Sequence, residues 1–382
     1  MRVAVVVRSL KIGGMERVAV NLSESFADNE HEAHLIYFKD KDRAFTPKQS
    51  VNLHLFDLEK ILINSIIGIP FYIFAKFFNI LFRRTYFFWQ GVFLSPIFKY
   101  KIKKLEKQHG KFDLIIMRGH GTFESLWRLK DKRIVQMVES VFIPYVTTRD
   151  KFYLKCLYTD KNLAGVSLGV EEKLTKVVND LKLSPKNITT INNPIDTNII
   201  NNKIKEYIPD IQKPYIVSVG RITPNKNLTL LIQAYIYARE NLKLQHKLVI
   251  IGDGPEYIKI QQLAKNSDFN DDIKFLGLLS NPFPWVKNAD LFALTSKAEG
   301  LPTVLLEALA CHTKIVAAKG EGGIKDIMTA ELKNHLTSFD KVDYANKIVE
   351  ILNKKEKIDT NKFLNKYLPK TIVNKYISTY IS

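Results

Sequence analysis

The chain has 382 residues, 46% of them apolar and 25% charged. That length points to two domains, with three the upper bound, and the composition excludes a mostly disordered chain, a collagen-like chain and a disulfide miniprotein. Lysine and arginine outnumber aspartate and glutamate by 18, which favours anionic partners: nucleic acid, acidic membrane or phosphorylated ligands.

The opening MRVAVVVRSL has too short an apolar run for a signal peptide and no small-residue cleavage site, so it reads as a first strand, Arg2–Val7. A helix follows with Val18, Leu22 and Phe26 on one face, then a strand at His34–Phe38. Between the first strand and the helix lies LKIGGMERV (10–18). Gly13 and Gly14 there let backbone approach a ligand, and the helix start offers amides; an ordinary tight turn is the plain alternative. The one D-x-D, Asp40-Lys41-Asp42, sits in a polar loop and reads as a turn rather than a metal site.

Residues 61–110 carry eight Lys/Arg and one acid, and residues 71–100 hold 13 of the 42 aromatics. Ile61–Phe82 is long enough to span a membrane, but Pro70, Lys76 and Asn79 interrupt it. A basic, aromatic, helical segment fits an interfacial surface element better than a pair of core helices or a span. Strands follow at Asp113–Met117, Ile134–Val138, Leu163–Ser167 and Ile188–Asn192, then a polar, proline-bearing stretch (193–213) that reads as a linker.

A second alternation starts at PYIVSV (214–219) and continues through KLVII (247–251), IKFL (273–276), DLFALT (290–295) and KIVAA (314–318). Continuous apolar runs between helices mark parallel strands buried on both faces, so the expected fold is α/β with two doubly wound domains. After the first of these strands comes VGRITPNKN (219–227), where Arg221 and Lys226 put two cations on one loop suited to phosphate. IGDGPE (251–256) supplies a βα turn without the last glycine of a dinucleotide fingerprint. SKAEGLPTVLLEALA (296–310) places Glu299 on a loop that feeds a helix, with Pro302 at the first helical position and the amides of Leu301, Thr303 and Val304 aimed at an anion. Glu307 then lies ~7.5 Å along the axis from Pro302. Cys156 and Cys311 are far apart and fit neither a disulfide framework nor a metal site, and a reducing compartment is the default.

EGLPTVLLE (299–307) resembles the E-x7-E motif of retaining glycosyltransferases of family 4, which have the GT-B fold: two Rossmann-like doubly wound domains facing across a cleft. GGMERV, the GRxxxxKN loop, GDGP and FLG (275–277) fall in the order that this family has. The resemblance implies that Glu299 contacts hydroxyls of the donor sugar and Glu307 those of the ribose. It implies that Arg221 and Lys226 hold a diphosphate, helped by Gly14, Gly220 and the backbone of Gly300, Leu301, Pro302 and Thr303. Gly277 and Leu278 would lie near the base. Many relatives carry a histidine after the fourth strand of the first domain; here Glu139 stands there, and His120 in MRGHG (117–121) is the other acceptor-side candidate, with the proton-handling role assigned to neither.

The expected domains are 1–197 for the acceptor, 198–365 for the donor, and a helix at 366–382 packing back on the first. The expected reaction moves a hexose or N-acetylhexosamine from a nucleotide diphosphate sugar, UDP-linked by preference, to a lipid-linked, lipopolysaccharide or polysaccharide glycan. A small soluble acceptor, or a non-catalytic sugar-nucleotide binder, is the alternative. No cofactor and no metal are expected. The expected place is the cytoplasm, on the anionic inner face of the cytoplasmic membrane. A nicotinamide dehydrogenase is disfavoured because the glycine fingerprint is incomplete. Nucleic acid is disfavoured because the aromatics concentrate in one segment instead of interleaving with cations along a platform.

Overall fold

The structure, a computed structural model, describes residues 1–11, 13–66, 68–82, 85–119, 121–140, 148–211, 214–354 and 358–381, without the side chains of residues 148 and 149. The chain divides into two units, Met1–Pro194 with Pro369–Ser382, and Ile195–Leu368.

In the first unit the strands are β1 (Arg2–Ser9), β2 (Glu32–Lys39), β3 (Val51–Leu55), β4 (Leu114–Arg118), β5 (Ile134–Val138), β6 (Asn162–Gly165) and β7 (Asn187–Thr190). They form one sheet in the order β3-β2-β1-β4-β5-β6-β7, every pair parallel. The helices are α1 (Gly14–Ala27), α2 (Leu58–Asn64), α3 (Gly68–Leu81), α4 (Tyr86–His109), α5 (Thr122–Ser125), α6 (Thr148–Tyr158) and α7 (Leu168–Asp180). Val3 to Val7 of β1 are all buried, as two-sided coverage by helices requires. The order reverses between β1 and β4, which makes that point the expected ligand crevice.

β3 has no counterpart in the sequence reading. It is an edge strand, VNLHL, buried at Val51 and partly exposed beyond it, so it lacks the continuous apolar run that marks the inner strands. The Asp40–Asp42 turn is tied to the protein itself: Tyr37 Oη donates to Asp40 (2.8 Å), and Lys11 pairs with Asp42 (2.8 Å).

The basic aromatic segment is not one kind of element. α4 is a core helix: Phe88, Leu94, Phe98, Ile102 and Leu105 are buried, and the Phe98 ring meets Phe38 at 5.8 Å and Phe56 at 5.9 Å. α3 is the opposite. It leaves Ile73 61%, Phe77 56% and Ile80 77% exposed. The single interfacial reading therefore does not describe the whole segment: α4 packs as a core helix, while α3 keeps an exposed apolar face. Among the described residues no single helix is long and apolar enough to cross a membrane; α2 and α3 meet that test only as a pair bent by 111°.

The second unit holds β8 (Tyr215–Val219), β9 (Lys247–Ile251), β10 (Ile273–Phe275), β11 (Leu291–Leu294), β12 (Ala298–Glu299), β13 (Lys314–Ala318), β14 (Glu321–Gly322) and β15 (Leu336–Thr337). Six of them make a sheet in the order β10-β9-β8-β11-β13-β15, and β12 pairs with β14. Its helices include α8 (Thr197–Lys203), α9 (Leu228–Asn241), α10 (Tyr257–Lys265), α11 (Phe283–Asn288) and α12 (Thr303–Ala310). Ile216, Leu231, Tyr235, Leu248, Ile250 and Tyr344 pack into its core. The strand order is again doubly wound, with its switch point between β8 and β11.

The unit boundaries fall at 194/195 and 368/369, not at 197/198 and 365/366. Backbone bonding decides this, since the Ile195 N–H donates to the Tyr367 carbonyl (2.9 Å) and so ties both crossings to the second unit. The closing helix, Pro369–Tyr380, belongs to the first unit. Its Tyr376 is fully buried, lies 5.7 Å from the Phe26 ring and donates to Met137 Sδ (3.0 Å).

Candidate functional site

Two loops flank the switch point of the second sheet at its carboxyl edge, one after β8 and one after β11. They are stitched together. Asn225 Nδ2 donates to the Ala298 carbonyl (2.7 Å), Lys297 N–H to the Asn225 carbonyl (2.8 Å), and Thr295 Oγ1 to the Lys226 carbonyl (2.8 Å). The consequence is that Lys226 Nζ reaches Glu299 Oε1 at 2.5 Å. Ser218, Gly220, Arg221, Lys226, Leu294 and Thr295 line a small pocket here. Arg221 is exposed at its mouth, while Lys226 and Glu299 are half-buried.

Glycines hold the strand ends close. Gly252 has φ +143°, and a β-carbon there would lie 1.9 Å from the Gly220 carbonyl oxygen. Gly220 N–H donates to the Ile251 carbonyl (2.9 Å) and Gly252 N–H to the Gly277 carbonyl (2.7 Å), so the turns after β8, β9 and β10 form one bonded edge. Gly277 (φ +65°) has open space where a β-carbon would sit, and Leu278 beside it is exposed.

Glu299 is set by β12. It pairs with Gly322 of β14, and Gly323 N–H donates to the Glu299 carbonyl (2.9 Å). Gly322 has φ +84°, and any β-carbon would lie 2.0 Å from that carbonyl. The glycine pair at 322–323 is the signal that sequence reading passed over.

Two expectations about the helix start need correction. Pro302 is not the first helical residue: its ψ is +82°, and it stands at the cap with Thr303 first. The Thr303 amide does not face outward, because it donates to the Leu301 carbonyl (2.8 Å). A tight turn closes Leu301–Thr303, so that amide is lost to a ligand. Gly300 and Leu301 lead into this turn, with Leu301 buried. Glu307, half-buried, lies about 6 Å along the axis from Thr303.

In the first unit α1 starts at Gly14, capped by the extended Gly13. A β-carbon on Gly14 would meet nothing within 4 Å. Glu139 follows β5 and is held by the fully buried Arg118 at 2.5 Å; Arg118 also donates to Asn193 (2.6 Å). The Glu139 carboxylate is thus already engaged by a buried cation. His120 lies outside the described residues.

The family model for glycosyltransferase family 4 matches residues 12–199, and that for glycosyl transferases group 1 matches residues 200–367. Together they take in both units. The chain belongs to the GT-B glycosyltransferases of family 4.

The N-acetylgalactosamine-N,N'-diacetylbacillosaminyl-diphospho-undecaprenol 4-alpha-N-acetylgalactosaminyltransferase of Campylobacter jejuni is 26% identical over 335 residues, 85% of this chain and 83% of that one. Anabaena HepE in complex with UDP has the same fold at a TM-score of 0.70, 18% identity and 99% coverage of both chains. The lipopolysaccharide outer core galactosyltransferase WaaB in its apo form matches at 0.62, 17% identity and 99% of both.

If Gly14 contacts the ligand as expected, a substitution there separates that contact from fold maintenance. Gly14→Ala adds a methyl in open space in a helix, which stabilises a fold by up to about 1 kcal/mol. We expect an unchanged or higher melting temperature together with a loss of transfer. Full activity in the purified variant would remove Gly14 from the ligand-contact set.

Proposed function

We propose that this glycosyltransferase moves a hexose or N-acetylhexosamine from a UDP-sugar to a hydroxyl of a lipid-linked or polysaccharide glycan, with retention and without a metal ion. The observation that carries the proposal is the junction of Arg221, Lys226 and Glu299 at the switch point of the second sheet. Arg221 and Lys226 hold the diphosphate, and Glu299 accepts from hydroxyls of the donor sugar while keeping the Lys226 ammonium at the pocket. Glu307 holds the ribose, and Gly277 and Leu278 flank the base.

The anomeric C–O bond breaks, and its electron pair goes to the β-phosphate oxygen. Fixed cations placed where that charge develops lower the barrier. The acceptor hydroxyl attacks the anomeric carbon from the face the leaving group vacates, and its proton passes to the departing phosphate oxygen. Under this scheme no protein base is required, in keeping with Glu139 being paired. The HepE complex with UDP supports the choice of base, and the Campylobacter transferase named for a diphospho-undecaprenol acceptor supports a lipid-linked one.

Nucleotide binding tests the reading directly. In EDTA, UDP at 100 times its dissociation constant adds about 2.7 kcal/mol of apparent stability. A rise in melting temperature with UDP and none with NAD is expected. A rise with none of UDP, GDP, ADP and CMP would count against the site.

The exposed face of α3 and the lysines of α4 support docking on an acidic membrane, the inner face of the cytoplasmic membrane by this reading. Each lysine near an anionic surface contributes about 1 kcal/mol. Lys103, Lys104 and Lys107 are exposed. Reversing all three to glutamate is expected to weaken sedimentation with phosphatidylglycerol vesicles by about a hundredfold or more. Unchanged sedimentation would leave no electrostatic part in docking.

A further inference from the structure

Where β2, β3 and the end of α4 meet, the first unit gathers three imidazoles and a carboxylate. Glu32 and His34 lie two residues apart on β2, so strand geometry puts both side chains on one face. His54 comes from β3 and His109 from the last turn of α4. His34 is fully buried. Its Nε2 lies 3.0 Å from Glu32 Oε1, and its Nδ1 lies 2.8 Å from His54 Nε2. His109 Nδ1 stands 3.9 Å from the same Oε1. One ligand atom each from Glu32, His34 and His109 all lie within 4.8 Å of one another.

These separations bracket what a small cation imposes. Ligands about 2.0–2.1 Å from a tetrahedral zinc ion stand about 3.3 Å from each other. Supporting contacts are in place as well. Arg2 takes Glu32 Oε2 at 2.6 Å, which turns Oε1 toward the imidazoles. His54 engages the second nitrogen of His34, the arrangement that orients a metal-binding imidazole. The side chains of Glu32 and His109 remain 37% and 35% exposed, leaving a path for entry and room for water as a fourth ligand.

We propose that Glu32 Oε1, His34 Nε2 and His109 Nδ1 bind a divalent transition-metal ion of the zinc class. Two imidazoles and a carboxylate suit such an ion and not calcium or magnesium, which take oxygen ligands. Glu32 pairs in register with Arg2 at the start of β1, so the site lies roughly 20 Å along β1 from the Gly13–Gly14 turn. It is therefore a structural clip between β2 and the end of α4, with no part in sugar transfer.

The test uses tag-free, full-length protein stripped with EDTA and dialysed against micromolar Zn2+ or Co2+. Uptake of one equivalent per chain, a visible Co2+ band of a tetrahedral nitrogen–oxygen site, and a zinc-dependent rise in melting temperature are expected. His109→Gln sits at a half-exposed position and keeps the fold; it should bind at least tenfold more weakly and lose the rise. Glu32→Gln keeps a partner for Arg2 and should do the same. Less than one equivalent taken up by the wild-type chain, or equal uptake in both variants, overturns the proposal and leaves a hydrogen-bonded histidine network in its place.

Discussion

Arg221→Ala should lower sugar transfer by on the order of 10²–10³ with no change in melting temperature, the cost of removing one preorganised donor from a developing charge. The separation of the two effects follows from where Arg221 sits. It is exposed at the mouth of the pocket, so its removal leaves no cavity and, among the described residues, strands no buried partner. An exposed arginine contributes little to stability on its own. Initial rates with a UDP-sugar, beside a melting curve of the same preparation, are the measurement. Intact transfer would displace the diphosphate from this loop. A fall in transfer accompanied by a fall in melting temperature would make Arg221 a structural residue instead.

Glu299→Gln should produce a different pattern. The side chain keeps its shape, but the charge that holds Lys226 is gone. UDP binding is then expected to stay level or tighten, since Lys226 no longer shares its charge with a carboxylate. Turnover should fall about a hundredfold or more, because the amide is a poorer acceptor for sugar hydroxyls and does not stabilise positive charge at the anomeric carbon. Combining it with Lys226→Met decides whether the two act as a unit. Directly bonded residues couple by about 0.5–3 kcal/mol, so the double variant should lose less than the two singles predict. Equal loss of UDP affinity and turnover in Glu299→Gln would undo the division of roles between Glu299 and Lys226.

The parts of the fold legible from sequence share one physical trait. The inner strands, such as Val3–Val7 and KLVII, are buried on both faces, so their apolar runs are unbroken and announce themselves. β3 did not, because an edge strand faces solvent on one side. The helix-feeding motif from Glu299 to Glu307 was visible as a string, yet the cap was misplaced by one residue. A proline fits the first helical turn equally well as the residue before it, and only the ψ of Pro302 separates the two.

By itself the chain determined its family, its two doubly wound α/β units and the loops that carry charge, since these rest on local pattern and on motif order. Tertiary structure alone decided the rest, because it turns on contacts between residues remote in sequence. Lys226 meets Glu299 only where β8 and β11 lie side by side. Arg118 captures Glu139 only across adjacent strands. Glu32, His34 and His109 converge only when the end of α4 returns to the start of β2. The segment 61–110 makes the same point about surfaces: α3 is nearly all apolar with one lysine and α4 carries five, yet α4 is the helix with the longer buried face, because burial depends on which helix packs against the rest of the unit.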